Sequence, residues 1–442
     1  MKRMAIRRIL IIIPVILCLA AVLVIGLFML QTVNQPKQSV ICADGSVVEL
    51  VGITYGKVHH NPIKGPWARL LQIVPPSLLK RFGIRTPNLR QTPEDSMMVW
   101  LQWKGRGSSW NGRKKIVDPG GYASELGHWG NTGSEVTPNG TIHWAGYEVV
   151  NYPRRSSQFK LRLENWNNKV EAEFDIQNPL ISTAEPFQAN PLPIPVQIDN
   201  MHFTLIGLEL PDPENPPKSQ EKQFNSHDAR AIFEVKQDGE ITADWQAVNI
   251  WLEDAMGNKA KNHSWSNREE DGKVTITFDS GLFPGEAWKV RTQFARKQNF
   301  LQEDIWSVEI PLPNAPGYQT NLVSRVMHER TVKVQGIADK NGLLLDGTKA
   351  ESNSSGNPKK HTFEIRVDDM PEELRLDLFE VVDNQGRTIK TGGKSWGGGH
   401  YRYDVELEDD ATHLKVKLAV HASKYADYIA EPSIVSEETT EP

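Results

Sequence analysis

The sequence predicts an all-β protein, in which three tandem β-sandwich modules follow one N-terminal transmembrane helix. After the first 30 residues, apolar and polar residues alternate in short runs, and long helical periodicity is nearly absent. Period-two alternation places one face of a strand in a core and the other face in water. A set of landmarks also recurs three times along the chain, and such a repeat indicates one module that is used three times.

Each copy of the repeat carries the same landmarks in the same order. A glycine lies within an apolar strand, and an Asp-x-x-Gly turn, a tryptophan and a strand with two alternating basic residues follow it. The landmarks of copy one are Gly52, 118–121, Trp129, Lys160 and Arg162. Those of copy two are Gly207, 254–257, Trp265, Lys289 and Arg291. Those of copy three are Gly336, 383–386, Trp396, Lys415 and Lys417.

Residues 9–30 predict the transmembrane helix, because these 22 residues carry no charge. At ~1.5 Å per residue such a helix spans the ~30 Å hydrocarbon core of a bilayer. The basic residues lie before it, within residues 1–8, so the positive-inside rule places the N-terminus in the cytoplasm and the body outside. A cleaved signal peptide is the alternative. We favour a retained anchor, because the apolar run is longer than that of a signal peptide and ends without small residues.

The body divides at proline-rich and polar stretches. We expect a linker at 31–45, module 1 at 46–180, a proline-rich linker at 181–199, module 2 at 200–313, a linker at 314–329, module 3 at 330–432 and a disordered tail at 433–442. Proline-rich linkers favour an extended, semi-rigid backbone, so this organisation predicts separate modules that move little relative to one another. In length and alternation the modules resemble immunoglobulin-type or fibronectin-type sandwiches. That resemblance implies a fold and assigns no function.

Module 1 differs from its two copies by a longer interval between its glycine and its turn. The extra residues predict a short helical insertion at about 60–90, which is basic and amphipathic. We hypothesise that it contacts the outer membrane surface through Lys64, Trp67, Arg69, Lys80 and Arg81. The alternative is that its apolar residues cover an open sheet face.

The Asp-x-x-Gly elements predict tight turns, because aspartate favours the first position of a type I turn and glycine the fourth. A calcium loop is the alternative, but each turn offers at most one carboxylate, whereas calcium takes six to eight oxygens.

The strands with alternating basic residues predict solvated sheet faces. The alternative is that each forms a row of basic side chains that binds an anionic polymer.

Module 1 also holds the residues that we single out for ligand binding. Exposed tryptophans stack on sugar rings, and neighbouring histidines and asparagines can bind hydroxyl groups. The candidates are Trp110, His128, Trp129, Asn131, His143 and Trp144. The alternative is that these tryptophans pack in a core or a hairpin, which the repeat position of Trp129 favours.

The composition limits the remaining function classes. The net charge is -5, and a mildly acidic chain lacks the basic footprint that is typical of nucleic-acid binding. The two cysteines, Cys18 and Cys42, exclude a zinc site of the Cys-x-x-Cys kind. Neither a nucleophile motif nor a cofactor motif occurs, so we expect no catalytic residues, no metal and no cofactor.

The sequence thus predicts a non-catalytic binding or scaffold protein of the cell envelope. Its expected partners are the lipid bilayer, through residues 9–30, and an envelope protein or polysaccharide. One alternative is a carbohydrate-binding protein that uses the Trp-rich face of module 1. The other alternative is an envelope hydrolase whose site carries no recognisable motif.

Overall fold

The computed structural model describes residues 38–60, 89–105, 112–126, 132–138, 140–178, 180–213, 228–263, 265–268, 272–279, 281–312, 318–339, 360–395, 399–408 and 410–436. Strands dominate these residues, which confirms the all-β class. No helix within these ranges is long and apolar enough to cross a membrane. The predicted anchor at 9–30 and residues 61–88 of the predicted insertion lie outside the described residues.

Strands β1–β9 form sheet pair 1, whose two sheets share a hydrophobic core. Their bounds are β1 Gln38–Ile41, β2 Val47–His60, β3 Leu89–Lys104, β4 Arg113–Val117, β5 Ala123–Glu125, β6 Thr132–Thr137, β7 Gly140–Val149, β8 Gln158–Glu164 and β9 Val170–Gln177. The strand orders are β1-β2-β3-β7-β6 and β5-β4-β8-β9.

Sheet pair 2 repeats this arrangement. Its strands are β10 Ile194–Ile198, β11 Met201–Pro211, β12 Asp228–Gln237, β13 Glu240–Ile241, β14 Trp245–Asp254, β15 Lys259–His263, β16 Trp265–Arg268, β17 Lys273–Asp279 and β18 Trp288–Arg296. One sheet has the order β10-β11-β12-β17-β16, with β13 paired to β12, and the other begins β15-β14-β18.

Sheet pair 3 follows a short 3-10 helix, Gln302–Asp304. The remaining strands are β19 Ile305–Pro311, β20 Tyr318–Met327, β21 Arg330–Asp339, β22 Lys360–Val367, β23 Leu374–Asp383, β24 Thr391–Ser395, β25 His400–Glu406, β26 His413–Ala422, β27 Lys424–Ala430 and β28 Ser433–Val435. The two sheets of pair 3 have the orders β20-β21-β22-β25-β24 and β19-β26-β23.

Sheet pairs 2 and 3 exchange strands. In pair 1, β9 pairs with β8, the strand that precedes it. The equivalent strand after β18 is β19, but β19 pairs with β26 of pair 3. In return β27, which follows β26, pairs with β18 of pair 2. The strand β28 then pairs in parallel with β11 of pair 2. Sheet pair 2 is therefore completed by residues that follow pair 3 in the sequence.

Connection length explains the exchange. Between β8 and β9 lies a turn in which the Asn165 side chain accepts hydrogen bonds from the backbone of Asn167 and Lys169, and Asn168 takes a φ of 59°. Between β26 and β27 lies the single residue Ser423. The commonest tight hairpins need at least two loop residues, so the chain runs on into the neighbouring sheet instead of folding back.

Several predicted linkers contain strands. The linkers predicted at 31–45, 181–199 and 314–329 contain β1, β10 and β20, and the tail predicted at 433–442 begins with β28. Each of these strands lies at the edge of a sheet or off its main path. Proline is compatible with such positions because an edge strand can lack one backbone donor. Of these edge strands, β10 is the one that contains a proline, Pro195.

The recurring glycines and turns have the same structure in all three copies. Each glycine lies at a β-bulge, after Leu50, Leu205 and Val334 respectively. Each turn aspartate accepts a hydrogen bond at Oδ1 from the backbone N–H four residues later, at distances of 2.8, 2.8 and 2.9 Å. The turn glycines Gly121, Gly257 and Gly386 have φ values of 88°, 84° and 77°. These observations confirm the turn interpretation.

The residue after the turn glycine in pair 2, Asn258, joins sheet pairs 1 and 2. Its side chain is fully buried and contacts both backbone groups of Tyr152, donating to the carbonyl at 3.1 Å and accepting from the N–H at 3.3 Å. The Asn151 side chain contacts the backbone of Lys259 in the same way, at 2.8 and 2.9 Å. Across this joint, two amide side chains thus form the pairs of backbone hydrogen bonds that a neighbouring strand would otherwise form.

A buried carboxyl lies directly behind this joint. Asp254 Oδ2 accepts a hydrogen bond from Asn258 at 2.7 Å, and the Asp254 side chain is 1% exposed. Burial raises the pKa of Asp254 to about 6, and the nearby carboxylate of Glu286 contributes to this increase. The hydrogen bonds from Asn258 lower the pKa but do not offset the effect of burial. Glu286 is itself held by Arg155 of pair 1 at 2.9 Å.

The exchanged strand β27 is part of the core of pair 2. Tyr428 is 3% exposed, and its hydroxyl donates to the Phe203 carbonyl at 3.1 Å. Its ring lies 5.7 Å from the ring of Phe233, which packs edge-on against Phe294. Aromatic side chains of this size dominate core energetics, so pair 2 depends on residues near the end of the chain.

We therefore predict that Tyr428→Ala destabilises sheet pair 2 by about 3 kcal/mol, the cost of truncating a buried aromatic. Hydrogen–deuterium exchange of the full chain, followed by mass spectrometry, should show faster exchange in β11, β12 and β18 than in β22. Leu418→Ala in β26 is the control and should affect pair 3 first. Faster exchange in β22 than in β18 of the Tyr428 variant would contradict the prediction.

A second prediction concerns pH. Because the pKa of Asp254 is higher in the folded chain than its ordinary 3.8, the folded chain binds this proton more tightly. Its stabilising contribution is present at pH 4 and is lost as the pH rises through about 6. The difference in unfolding free energy between wild type and Asp254→Asn should therefore grow by up to about 3 kcal/mol from pH 7 to pH 4 in urea titrations.

The matched control is Asp383→Asn. Burial alone would raise the pKa of Asp383, but hydrogen bonds from Arg387 hold it below its ordinary value. The difference between wild type and this variant should shrink at low pH, opposite in sign to that of Asp254→Asn. Equal slopes for the two variants would disprove the assignment.

Candidate functional site

The basic strands of pairs 1 and 3 carry their own counterions. Lys160 Nζ and Arg162 Nε lie 2.6 and 3.0 Å from the two carboxylate oxygens of Glu173 on the next strand. Lys417 Nζ lies 2.6 Å from the carboxylate of Glu380. These pairs are partly exposed, and such surface ion pairs contribute little beyond solvating a sheet face.

The equivalent residues of pair 2 contact aromatic rings. Lys289 Nζ lies 4.2 Å from the centre of the Phe187 ring, and the Arg291 guanidinium lies 4.9 Å from that of Tyr425. Both distances are typical of cation–π contacts. Asp427 is 3.8 Å from Arg291, but both side chains are more than half exposed. The basic strand of pair 2 is therefore part of an aromatic surface.

This surface is the floor of a groove of about 970 Å³ on the outer face of the sheet β15-β14-β18-β27. One wall consists of Glu372 and Glu373, which lie just before β23 of pair 3. Asn190 forms part of the opposite side, and its N–H donates to the carbonyl of Ile429 at 2.9 Å. The groove thus combines pair 2, the exchanged strand, pair 3 and the segment before β10.

Two partly buried aromatic side chains form its centre. The rings of Trp251 on β14 and Tyr425 on β27 lie 5.9 Å apart with an interplanar angle of 40°. The Tyr425 hydroxyl donates to the Glu372 carbonyl at 2.9 Å. Burial raises the pKa of Tyr425, and the carboxylates of Glu372 and Glu373 raise it further. The phenol therefore keeps its proton at neutral pH and holds the ring in place.

A buried amide fixes the junction beneath the groove. Gln293 on β18 is 3% exposed, and its Nε2 donates to Ser423 Oγ at 3.0 Å and to the Glu372 carbonyl at 3.3 Å. Its Oε1 accepts from Asn249. One side chain thus connects the short β26–β27 link with the wall of the groove.

The structure describes two of the six residues predicted for ligand binding, His143 and Trp144. Trp144 is 8% exposed and packs against Trp100, with ring centres 6.5 Å apart. His143 is next to it on β7, so the two side chains point to opposite faces, and His143 stacks on Trp103 at 6.1 Å. The other four candidates, and all five residues predicted at the membrane surface, lie outside the described residues. They are Trp110, His128, Trp129 and Asn131, and Lys64, Trp67, Arg69, Lys80 and Arg81.

A second polar cluster in pair 1 is fully buried. Trp100 Nε1 donates to Thr54 Oγ1 at 3.2 Å, and Thr54 contacts His59 Nδ1 at 2.9 Å. His59 Nε2 lies 3.1 Å from Ser96 Oγ, whose own proton is donated to Thr92 at 3.3 Å. This chain of hydrogen bonds connects β2 with β3.

The sequence contains one signal that points to the groove, and it lies in a comparison of the three copies. The position three residues before each turn aspartate is Lys115, Trp251 and Glu380 in the three copies. Each lies opposite the second basic residue of its copy in the register of the sheet. Two copies place a charged residue there, and the middle copy places an indole ring. Aligning the copies position by position would have singled out Trp251.

The chain gives no strong match to known proteins. No protein-family model and no curated protein matches it. Among solved structures, it aligns with domains 4–9 and domains 1–6 of the surface layer protein SbsC, at 9% and 11% identity, over 79% and 77% of this chain, and with a TM-score of 0.12 for each. The alignments cover 44% and 53% of those chains, about half their length.

A third solved structure, a crystal structure with a xylogluco-oligosaccharide, aligns at 8% identity and a TM-score of 0.10. That alignment covers 86% of this chain and 96% of the other. Likenesses of this strength carry no argument about fold or function.

We predict that Gln293→Ala weakens the groove without removing any residue that lines it. The change removes the hydrogen bond to the Ser423 hydroxyl and one of the two hydrogen bonds that the Glu372 carbonyl accepts, which should cost about 1–3 kcal/mol. Thermal unfolding and exchange of the amides at 372–374 and 423–425 would measure the effect. Gln246→Ala, a half-buried position on β14, is the control and should change neither. Unchanged exchange at both segments in the Gln293 variant would contradict the prediction.

Proposed function

We propose that this chain is a non-catalytic binding protein of the cell envelope and that its ligand lies in the groove on the sheet β15-β14-β18-β27. One observation carries the proposal: the partly buried rings of Trp251 and Tyr425, from distant parts of the sequence, lie together in a groove lined by charged side chains. Binding sites combine apolar surface with a few placed polar groups in this way.

The comparison of the three copies supports the choice of site. Equivalent positions in pairs 1 and 3 hold close ion pairs within their own sheets, whereas Arg291 of pair 2 has a longer contact with Asp427, at 3.8 Å, and adds a cation–π contact with Tyr425. Duplication alone copies structure. A departure confined to one copy, at a concave surface, calls for a separate cause, and ligand binding provides one.

The predicted anchor completes the proposal. Residues 9–30 hold the body at the outer surface of the bilayer, and the basic N-terminus remains in the cytoplasm. A polymer or protein of the cell envelope is then the accessible partner.

The test uses the full chain in lipid nanodiscs. It is offered four kinds of probe: neutral oligosaccharides, acidic oligosaccharides, extended peptides and anionic vesicles. Trp251→Ala should weaken binding of at least one probe by tenfold or more, because it removes the centre of the groove. Trp166→Ala is the matched control, since Trp166 is 68% exposed and lies on the β8–β9 turn of pair 1.

Two results would count against the proposal. If every probe that binds does so equally well in the Trp251 and Trp166 variants, the groove is not the site. If the full chain turns over ester, glycoside or peptide substrates, the protein is not a binding protein alone.

A further inference from the structure

We infer that the groove binds an extended, electrically neutral carbohydrate chain, with successive sugar rings on Trp251 and Tyr425. This inference rests on the proposed function and names the ligand class of the same site. It depends on three properties of the groove: the spacing of its aromatic rings, the balance of its charges and its position on a sheet face.

The ring geometry favours a chain over a single ring. The two ring centres are 5.9 Å apart and the planes are tilted by 40°, so one flat molecule cannot stack on both. Consecutive pyranose rings in a chain are joined by a flexible glycosidic bond and can each present an apolar C–H face to one of them. Aromatic faces carry partial negative charge and attract such C–H groups. The groove volume of about 970 Å³ also exceeds what one sugar ring fills.

The charges favour a neutral ligand. Lys259, Lys289 and Arg291 surround the groove, but four carboxylates do so too, at Glu253, Glu372, Glu373 and Asp427. With four carboxylates against three cations, the groove repels a polyanion and offers a polycation only a small net attraction. A sugar hydroxyl both donates and accepts, so it can bind carboxylates and cations alike. Alternating charges around an aromatic centre therefore match a polyhydroxyl chain.

The position on the sheet argues against a peptide strand. An extended peptide adds to the free edge of a sheet through main-chain hydrogen bonds. Here the aromatic centre lies over β14, β18 and β27, and the backbone groups of β14 and β18 are paired on both sides. β27 is the edge strand of this sheet, and the Asn190 N–H of the segment before β10 already donates to its Ile429 carbonyl. An amphipathic helix needs an apolar floor, whereas Lys289, Arg291 and Asp427 are exposed on this one.

The experiment compares matched oligosaccharides on the full chain in nanodiscs by isothermal titration calorimetry. The probes are a β-linked glucose hexasaccharide, the corresponding disaccharide and an oligouronate of six residues. We expect the neutral hexasaccharide to bind at least tenfold more tightly than either of the other two. Trp251→Ala and Tyr425→Ala should each weaken it tenfold or more, Trp251→Tyr should retain most of the binding, and Trp166→Ala should retain all of it.

The outcomes separate this inference from the proposed function. If the oligouronate binds more tightly than the neutral hexasaccharide and its binding depends on Trp251, the ligand is not neutral, but the groove remains the binding site. Trp251-dependent binding of a peptide or vesicle, with no oligosaccharide bound, would overturn the ligand class. If no probe depends on Trp251, both proposals fail. A thermal unfolding midpoint of Trp251→Tyr equal to wild type shows that any loss in that variant is not a folding defect.

Discussion

The connection between β26 and β27 consists of Ser423 alone, and much of the remaining structure depends on that length. A chain that cannot turn back must continue, so β27 leaves pair 3 and completes the sheet of pair 2. The place left beside β26 is filled by β19. Neither sheet pair can then form all of its core from a continuous stretch of sequence. Pairings between segments that are distant in sequence must offset the entropy of closing long loops, so the two pairs are expected to fold slowly.

The turn aspartate shows how one element serves different purposes in three copies. Its backbone hydrogen bonds are the same in each copy, because the turn geometry needs them. The residue after the turn glycine differs. Asn258 turns the second copy into a joint with pair 1, whereas Arg387 forms ion pairs with Asp383 and Asp410 within pair 3. The neutral amide leaves Asp254 with a raised pKa and the guanidinium leaves Asp383 with a lowered one. The side chain after the turn glycine thus accompanies opposite pKa shifts of the turn aspartate in the two copies.

Local features of this fold could be predicted from the sequence, and pairings between distant segments could not. Gly52 and the Asp118 turn are short-range signals with a backbone cause, and alternation in β8 and β26 identified the strands. The partner of β27 was not predictable from alternation, because the pattern fixes which face is buried and not which sheet receives it. The groove was missed for the same reason, since Trp251 and Tyr425 become neighbours only through the exchange. Trp144 drew attention by its residue type, yet it packs against Trp100.

The exchange and the groove depend on each other energetically. Tyr425 is the second residue of β27, two positions after Ser423, and its hydroxyl donates to the Glu372 carbonyl of pair 3. A ligand that rests on both Trp251 and Tyr425 therefore contacts β14 and the exchanged strand together. Any ligand that binds only the assembled state stabilises that state by mass action. Ligand in the groove then opposes separation of β27 from β18, and loss of that pairing removes half of the aromatic centre. Under the proposed function, ligand binding and the joining of sheet pairs 2 and 3 are linked equilibria.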